Sequence, residues 1–125
     1  MIFRFKSFLG FRTTGLTQFK SLALNRILER LPKGLFTIGI VREDDFSDSN
    51  IDRLQKWSLK SPENHISLFL QPESRSGKLL IGENWIEKFD TADVKEKLDK
   101  VNLLFADEQY LKGVDFLVNF VRAKL

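Results

Sequence analysis

Residues 66–85, ISLFLQPESRSGKLLIGENW, decide how the rest of the chain is read. Two apolar runs, 66–70 and 79–81, flank a Pro-Glu-Ser-Arg-Ser-Gly turn at 72–77, and the second run stops at Gly82-Glu83-Asn84. Short apolar runs bounded by Pro, Gly and Ser predict a buried β-hairpin with a longer loop, its second strand spanning 78–81.

Upstream of the hairpin, residues 35–41, LFTIGIV, form a seven-residue apolar run rich in β-branched side chains. Its lack of polar alternation predicts a central strand covered on both faces. Between the two strands, Ser47, Asp48, Ser49 and Asn50 offer N-caps, and Ile51, Leu54 and Trp57 follow at helical spacing. This predicts a helix over 50–59 that Ser61-Pro62 ends. Strand, helix and strand in succession require a crossover, with the strand from Ile66 parallel to that from Leu35 and the hairpin partner antiparallel to both.

Before this core, Leu16, Phe19, Ala23, Ile27 and Leu31 lie on one helical stripe, with Thr14 or Thr17 as its cap and Pro32-Lys33-Gly34 as its stop. After the hairpin, Asp90-Thr91 opens a helix carrying Val94, Leu98, Val101, Leu104 and Phe105. Following the connection Ala106-Asp107-Glu108, a last helix carries Leu111, Val114, Val118, Val121 and Leu125, widened by Leu117, with Phe116 and Phe120 on its flanks. Gly113 beside that stripe predicts a close helix contact, since Gly otherwise costs about 1 kcal/mol relative to Ala. The expected fold class is therefore α/β: a small mixed β-sheet, made of a strand-helix-strand crossover plus a hairpin, sandwiched by about four helices.

Composition fits one domain. The chain has 125 residues, 42% of them hydrophobic and 30% charged, enough for a proper core. Cysteine is absent, which excludes disulfides, thiolate catalysis and Cys-type zinc sites. Residues 1–31 hold six Lys/Arg against one Glu, a charge of +5 within a total of +3, so residues 32–125 carry −2. A basic leader on a nearly neutral body argues against a dedicated nucleic-acid surface. Residues 1–14 read as a Phe-rich basic arm ahead of a single domain at 15–125. Ile2, Phe3, Phe5, Phe8, Leu9 and Phe11 there suit an extended arm or added edge strand, a short interfacial anchor making weak contact with anionic membrane through residues 1–12, or a remnant of something longer. No apolar run is long enough for a membrane span, and charge interrupts what would be a signal peptide's apolar stretch, so a soluble, cytoplasmic protein is expected.

Catalytic motifs are missing: there is no HExxH, nucleophile elbow, P-loop or GxGxxG. His65, the one histidine, enters the hairpin without partners that sequence spacing supplies. Carboxylates are the remaining candidates, and the expected topology sorts them. Glu43, Asp44, Asp45 and Glu73 share one sheet end; Glu63, His65, Glu83 and Asp90 share the other. Asp44, Asp45, Glu83 and Asp90 are the residues available to hold Ca²⁺ or Mg²⁺, though none has EF-hand spacing. Gly82, Glu83, Asn84 and Trp85 form the candidate binding surface, with Trp85 as core residue or partner contact.

The run 64–83, then Gly82-Glu83-Asn84-Trp85-Ile86, then a helix and Phe105-Ala106-Asp107-Glu108-Gln109-Tyr110-Leu111-Lys112-Gly113-Val114, resembles the TPM domain. That family includes thylakoid-lumen, photosystem-II-associated and nematode receptor-auxiliary proteins as well as small bacterial ones. The resemblance spans roughly residues 17–125 and rests on the order of elements. Gly82 matches the family's first Gly, Glu83 the acidic or aromatic position after it, Ile86 the apolar position, and Tyr110 and Gly113 the late aromatic and glycine. Two positions depart: the family's leading Asp segment is Thr13-Thr14-Gly15 here, and its second Gly is Trp85. The resemblance implies an interaction or assembly-support module with an unknown protein partner. Its alternative implication is a metal-assisted acid phosphatase using Glu83 and Asp90, as the activity attributed to some plant members would suggest.

Overall fold

The computed structural model describes residues 2–4, 22–41, 53, 61–71 and 73–125. Four strands form one sheet: β1 (Ile2–Arg4), β2 (Phe36–Ile40), β3 (Ile66–Gln71) and β4 (Ser76–Ile81), in spatial order β1-β2-β3-β4. β1 and β2 pair in parallel, as do β2 and β3, while β3 and β4 form the antiparallel hairpin. Three helices are described: α1 (Leu22–Leu28), α2 (Thr91–Ala106) and α3 (Tyr110–Lys124). The mixed sheet, the parallel pair and the hairpin agree with the expected α/β architecture. Of the helix expected over 50–59 only Arg53 is described, and it is helical; the first part of the helix from Leu16 with its Thr caps and most of the Phe-rich arm lie outside the described residues.

Every residue of β2 and β3 is buried, so both faces are out of solvent. The register divides them chemically. Phe36, Ile38 and Ile40 pair with Ile66, Leu68 and Leu70, which pair in turn with Ile81, Leu79 and Gly77. This apolar face belongs to the main core with Val101, Phe105, Tyr110, Val114, Leu117, Val118 and Val121. The other face carries Thr37, Gly39, Ser67, Phe69 and Gln71. The buried Thr37 and Ser67 hydroxyls satisfy each other across the strands at 2.7 Å.

The hairpin turn is shorter than the sequence predicts. Ser76 and Gly77 pair with Gln71 and Leu70, so β4 begins two residues before Lys78. Arg75 turns the chain with φ 53°, and the Gln71 side chain accepts from the Ser74 amide while donating to Glu73. Asn102 of α2 then secures the strand: its Oδ1 accepts from Gly77 N at 2.7 Å, and its Nδ2 donates to Gly77 O at 3.3 Å. α1 ends at Leu28, before the expected stop at Pro32-Lys33-Gly34, which forms a turn of its own. Leu35 N bonds Pro32 O at 3.1 Å, and Gly34 has φ +82°, as the third position of a type II turn requires.

α3 buries Tyr110, Gly113, Val114, Leu117, Val118, Phe120 and Val121. Its core stripe is therefore shifted from the one the sequence predicts. Leu111 is only half-buried and Leu125 is 42% exposed, because Tyr110 and Phe120 take the inward positions. Asp90 stands at the N-cap position of α2 without a side-chain capping bond; its backbone carbonyl accepts from Val94 N at 2.9 Å.

Asp93, in the first turn of α2, binds Lys97 at 3.0 Å and Lys124, in the last turn of α3, at 3.3 Å. Its hydrogen bond to Lys97 is the main cause that holds the carboxyl below its ordinary value; burial opposes it, and the bond to Lys124 adds to the lowering. A carboxylate whose folded-state pKa is depressed adds stability above its unfolded value, about 3.9, and that stability is lost as pH falls through the folded value. Asp93→Asn is therefore expected to flatten the fall in melting temperature between about pH 5 and pH 2.5. Parallel melting-temperature curves for the two proteins over that range would refute this linkage.

Candidate functional site

The hairpin exit is built by pairing two loops. The segment after β4 runs beside the 3₁₀ turn Pro62–Asn64 that precedes β3. Gly82 N donates to His65 O at 2.7 Å, and Asn84 N donates to Glu63 O at 3.0 Å, so the hairpin ladder continues past its last strand residue. Only glycine fits at 82: a Cβ there would lie 2.5 Å from both the Glu63 and the His65 carbonyl oxygens. Side chains complete the clasp. Asn84 Nδ2 donates to Asn64 Oδ1 at 2.5 Å, and Trp85 Nε1 donates to Asn64 O at 2.9 Å.

Trp85 is thereby fixed in a half-buried position, one side packed on the core and its ring edge tied to Asn64. Lys88 Nζ stands 5.8 Å from the ring centroid. Next to it, on the 3₁₀ turn Ile86–Lys88, Ile86 leaves 55% of its surface in solvent. Phe89 turns inward and meets Phe120 of α3, with ring centroids 5.7 Å apart. The exit is thus pinned at both ends, to the Glu63–His65 loop and to α3, and presents a rigid ledge between them.

The predicted site residues take distinct places on this ledge. Gly82 is buried and structural. Glu83 and Asn84 are exposed, Trp85 is half-buried, and Asp90 is exposed at the start of α2. Glu63 and His65 are brought against Gly82 and Asn84 through backbone atoms, as the expected topology required. Asp44, Asp45 and Glu43 lie outside the described residues. Among the described residues, no three His, Asp or Glu side chains are grouped to hold a metal ion.

Two features of the site lie outside the candidate binding residues read from the sequence. Asn64 contributes two contacts to the exit, and Ile86 is its exposed apolar residue. The only trace of the first in the sequence is an Asn before an apolar strand, and of the second an Ile beside Trp. No helix among the described residues is long and apolar enough to cross a membrane. Comparison with protein-family models and a search of curated proteins find no match for this chain.

Proposed function

We propose that the protein is a non-catalytic interaction or assembly-support module of TPM-like fold, acting in the cytoplasm, with the hairpin exit as its contact surface. The observation that carries this reading is the fixed Trp85 beside the exposed Ile86. An apolar centre held in place by backbone and side-chain hydrogen bonds binds without the cost of ordering a loop. The order of sheet, hairpin and two closing helices supports the TPM-like part of the reading. Glu63, Glu83, Glu87 and Asp90, all exposed along this stretch, favour a partner that offers basic groups around an apolar socket.

Trp85 is a poor probe of binding because it also packs on the core, so its truncation would confound folding with contact. The exposed Ile86 and Glu83 separate the two. Affinity capture with Ile86→Lys/Glu83→Lys is expected to lose the partner retained by the unaltered protein, while the melting temperature stays within about 2 °C. Capture unaffected by both substitutions overturns the assignment of this surface. Turnover of p-nitrophenyl phosphate with Mg²⁺ or Ca²⁺, abolished in Glu83→Gln, would replace the proposal with the phosphatase reading.

A further inference from the structure

A second surface lies away from the hairpin exit, on the outer side of the α2–α3 pair. Leu104 of α2 and Phe116, Phe120 and Ala123 of α3 line the apolar part of a groove of about 530 Å³, with Lys97 and Lys112 also on its walls. Lysines overhang the aromatic rings. Lys100 Nζ is 5.4 Å from the Phe116 centroid, and Lys97 and Lys124 are 5.8 and 5.7 Å from that of Phe120.

The charges here are unbalanced. Lys97 and Lys124 share Asp93, Lys97 also lies 3.8 Å from Glu96, and Arg30 engages Asp115. Lys100 and Lys112 form no ion pair among the described residues. Five cations therefore stand against three carboxylates around an apolar floor. That floor is recessed: Phe120 is only 9% exposed and Phe116 is half-buried. Recessed rings cannot insert into a bilayer, so the apolar side chain must come from the occupant, and its charge must be negative to complement Lys100 and Lys112.

We propose that this groove binds an acidic amphipathic segment of a partner protein, with one or two Leu or Phe side chains seated against Phe116 and Phe120 and flanking carboxylates paired with Lys100 and Lys112. The proposal does not rest on the hairpin-exit reading, although Phe120 of the groove floor also packs on Phe89 at the end of the exit.

The test is selection of binders to the full chain from a displayed library of 12-residue peptides randomised over Asp, Glu, Lys, Arg, Leu, Phe and Ala. Enriched sequences are expected to carry net negative charge and apolar residues at i, i+3 or i+4 spacing. Lys100→Glu/Lys112→Glu is expected to weaken them about tenfold or more, with an effect that shrinks as salt rises. Ala123→Phe, which fills the groove from an exposed position, is expected to abolish binding. Circular dichroism melts verify that both variants fold. Failure to enrich acidic sequences, or binding that survives both variants, overturns the proposal. Sedimentation with phosphatidylserine vesicles lost in the lysine variant, without peptide enrichment, would replace the partner by a membrane. Concentration-dependent association of the chain that is lost in the same variant would replace it by a second copy.

Discussion

Phe105→Ala is expected to cost about 3–5 kcal/mol in denaturant unfolding, the largest loss of any single side chain considered. Phe105 is fully buried near the end of α2, and its ring fills the space between β4 and α3. Both neighbours make room by lacking a side chain. A Cβ at Gly77 would lie 2.8 Å from Cε2 of the ring, and one at Gly113 would lie 2.5 Å from Cε1. Tyr110 closes the pocket with its ring centroid 5.6 Å away. Removing the ring leaves a void that two glycine backbones and a helix cannot readily collapse into.

The same geometry predicts a change of sign. In the unaltered protein, Gly113→Ala drives a methyl into the Phe105 ring and is expected to destabilise by about 1–3 kcal/mol. In the Phe105→Ala background that collision is gone, and the helix preference for Ala over Gly, about 1 kcal/mol, makes the same substitution stabilising. A double-mutant cycle measures the coupling directly. Equal effects in both backgrounds would show that Gly113 is not there to accommodate the ring.

Gly82→Ala carries the second large effect, expected at about 2–3 kcal/mol. The added methyl meets main-chain oxygens of Glu63 and His65 at 2.5 Å, and neither can retreat without lengthening the bonds that join the two loops. Gly82 N to His65 O and Asn84 N to Glu63 O would both open, and the Asn64 anchor of Trp85 would go with them. Amide hydrogen exchange at Gly82 and Asn84 should accelerate well beyond any change at Leu68 or Leu70 in the middle of β3. Exchange that rises uniformly across the sheet would mean a global loss of stability instead. A local opening would also dismantle the proposed contact surface, so partner capture should fail in this variant at temperatures where the sheet remains folded.

Much of the architecture was legible because burial leaves a period in the sequence. The continuous apolar runs at 35–41 and 66–70 announced two interior strands, and the helical stripes around Val101 and Phe105 and around Val114, Val118 and Val121 announced the closing helices. Boundaries were less legible. Ser76 and Gly77 look like turn residues by composition, yet pairing with Gln71 and Leu70 and the amide of Asn102 draw them into β4. The outer position of Leu125 and the inner position of Tyr110 likewise depend on how α3 rotates against Phe105.

The sequence by itself determined a mixed α/β sheet closed by helices, the absence of thiol chemistry, and Gly82–Trp85 as the place where the hairpin gives way to a special local structure. Tertiary structure alone decided what that place is. Asn64 lies 21 positions before Trp85 and reaches its indole only because β3 and β4 are antiparallel neighbours. The same holds for the groove beyond the sheet: its lysines are spread over two helices, and only the packing of α2 on α3 sets them around Phe116 and Phe120. Periodicity records which residues leave water, whereas a site is made by residues distant in the chain that the fold brings into reach of one another.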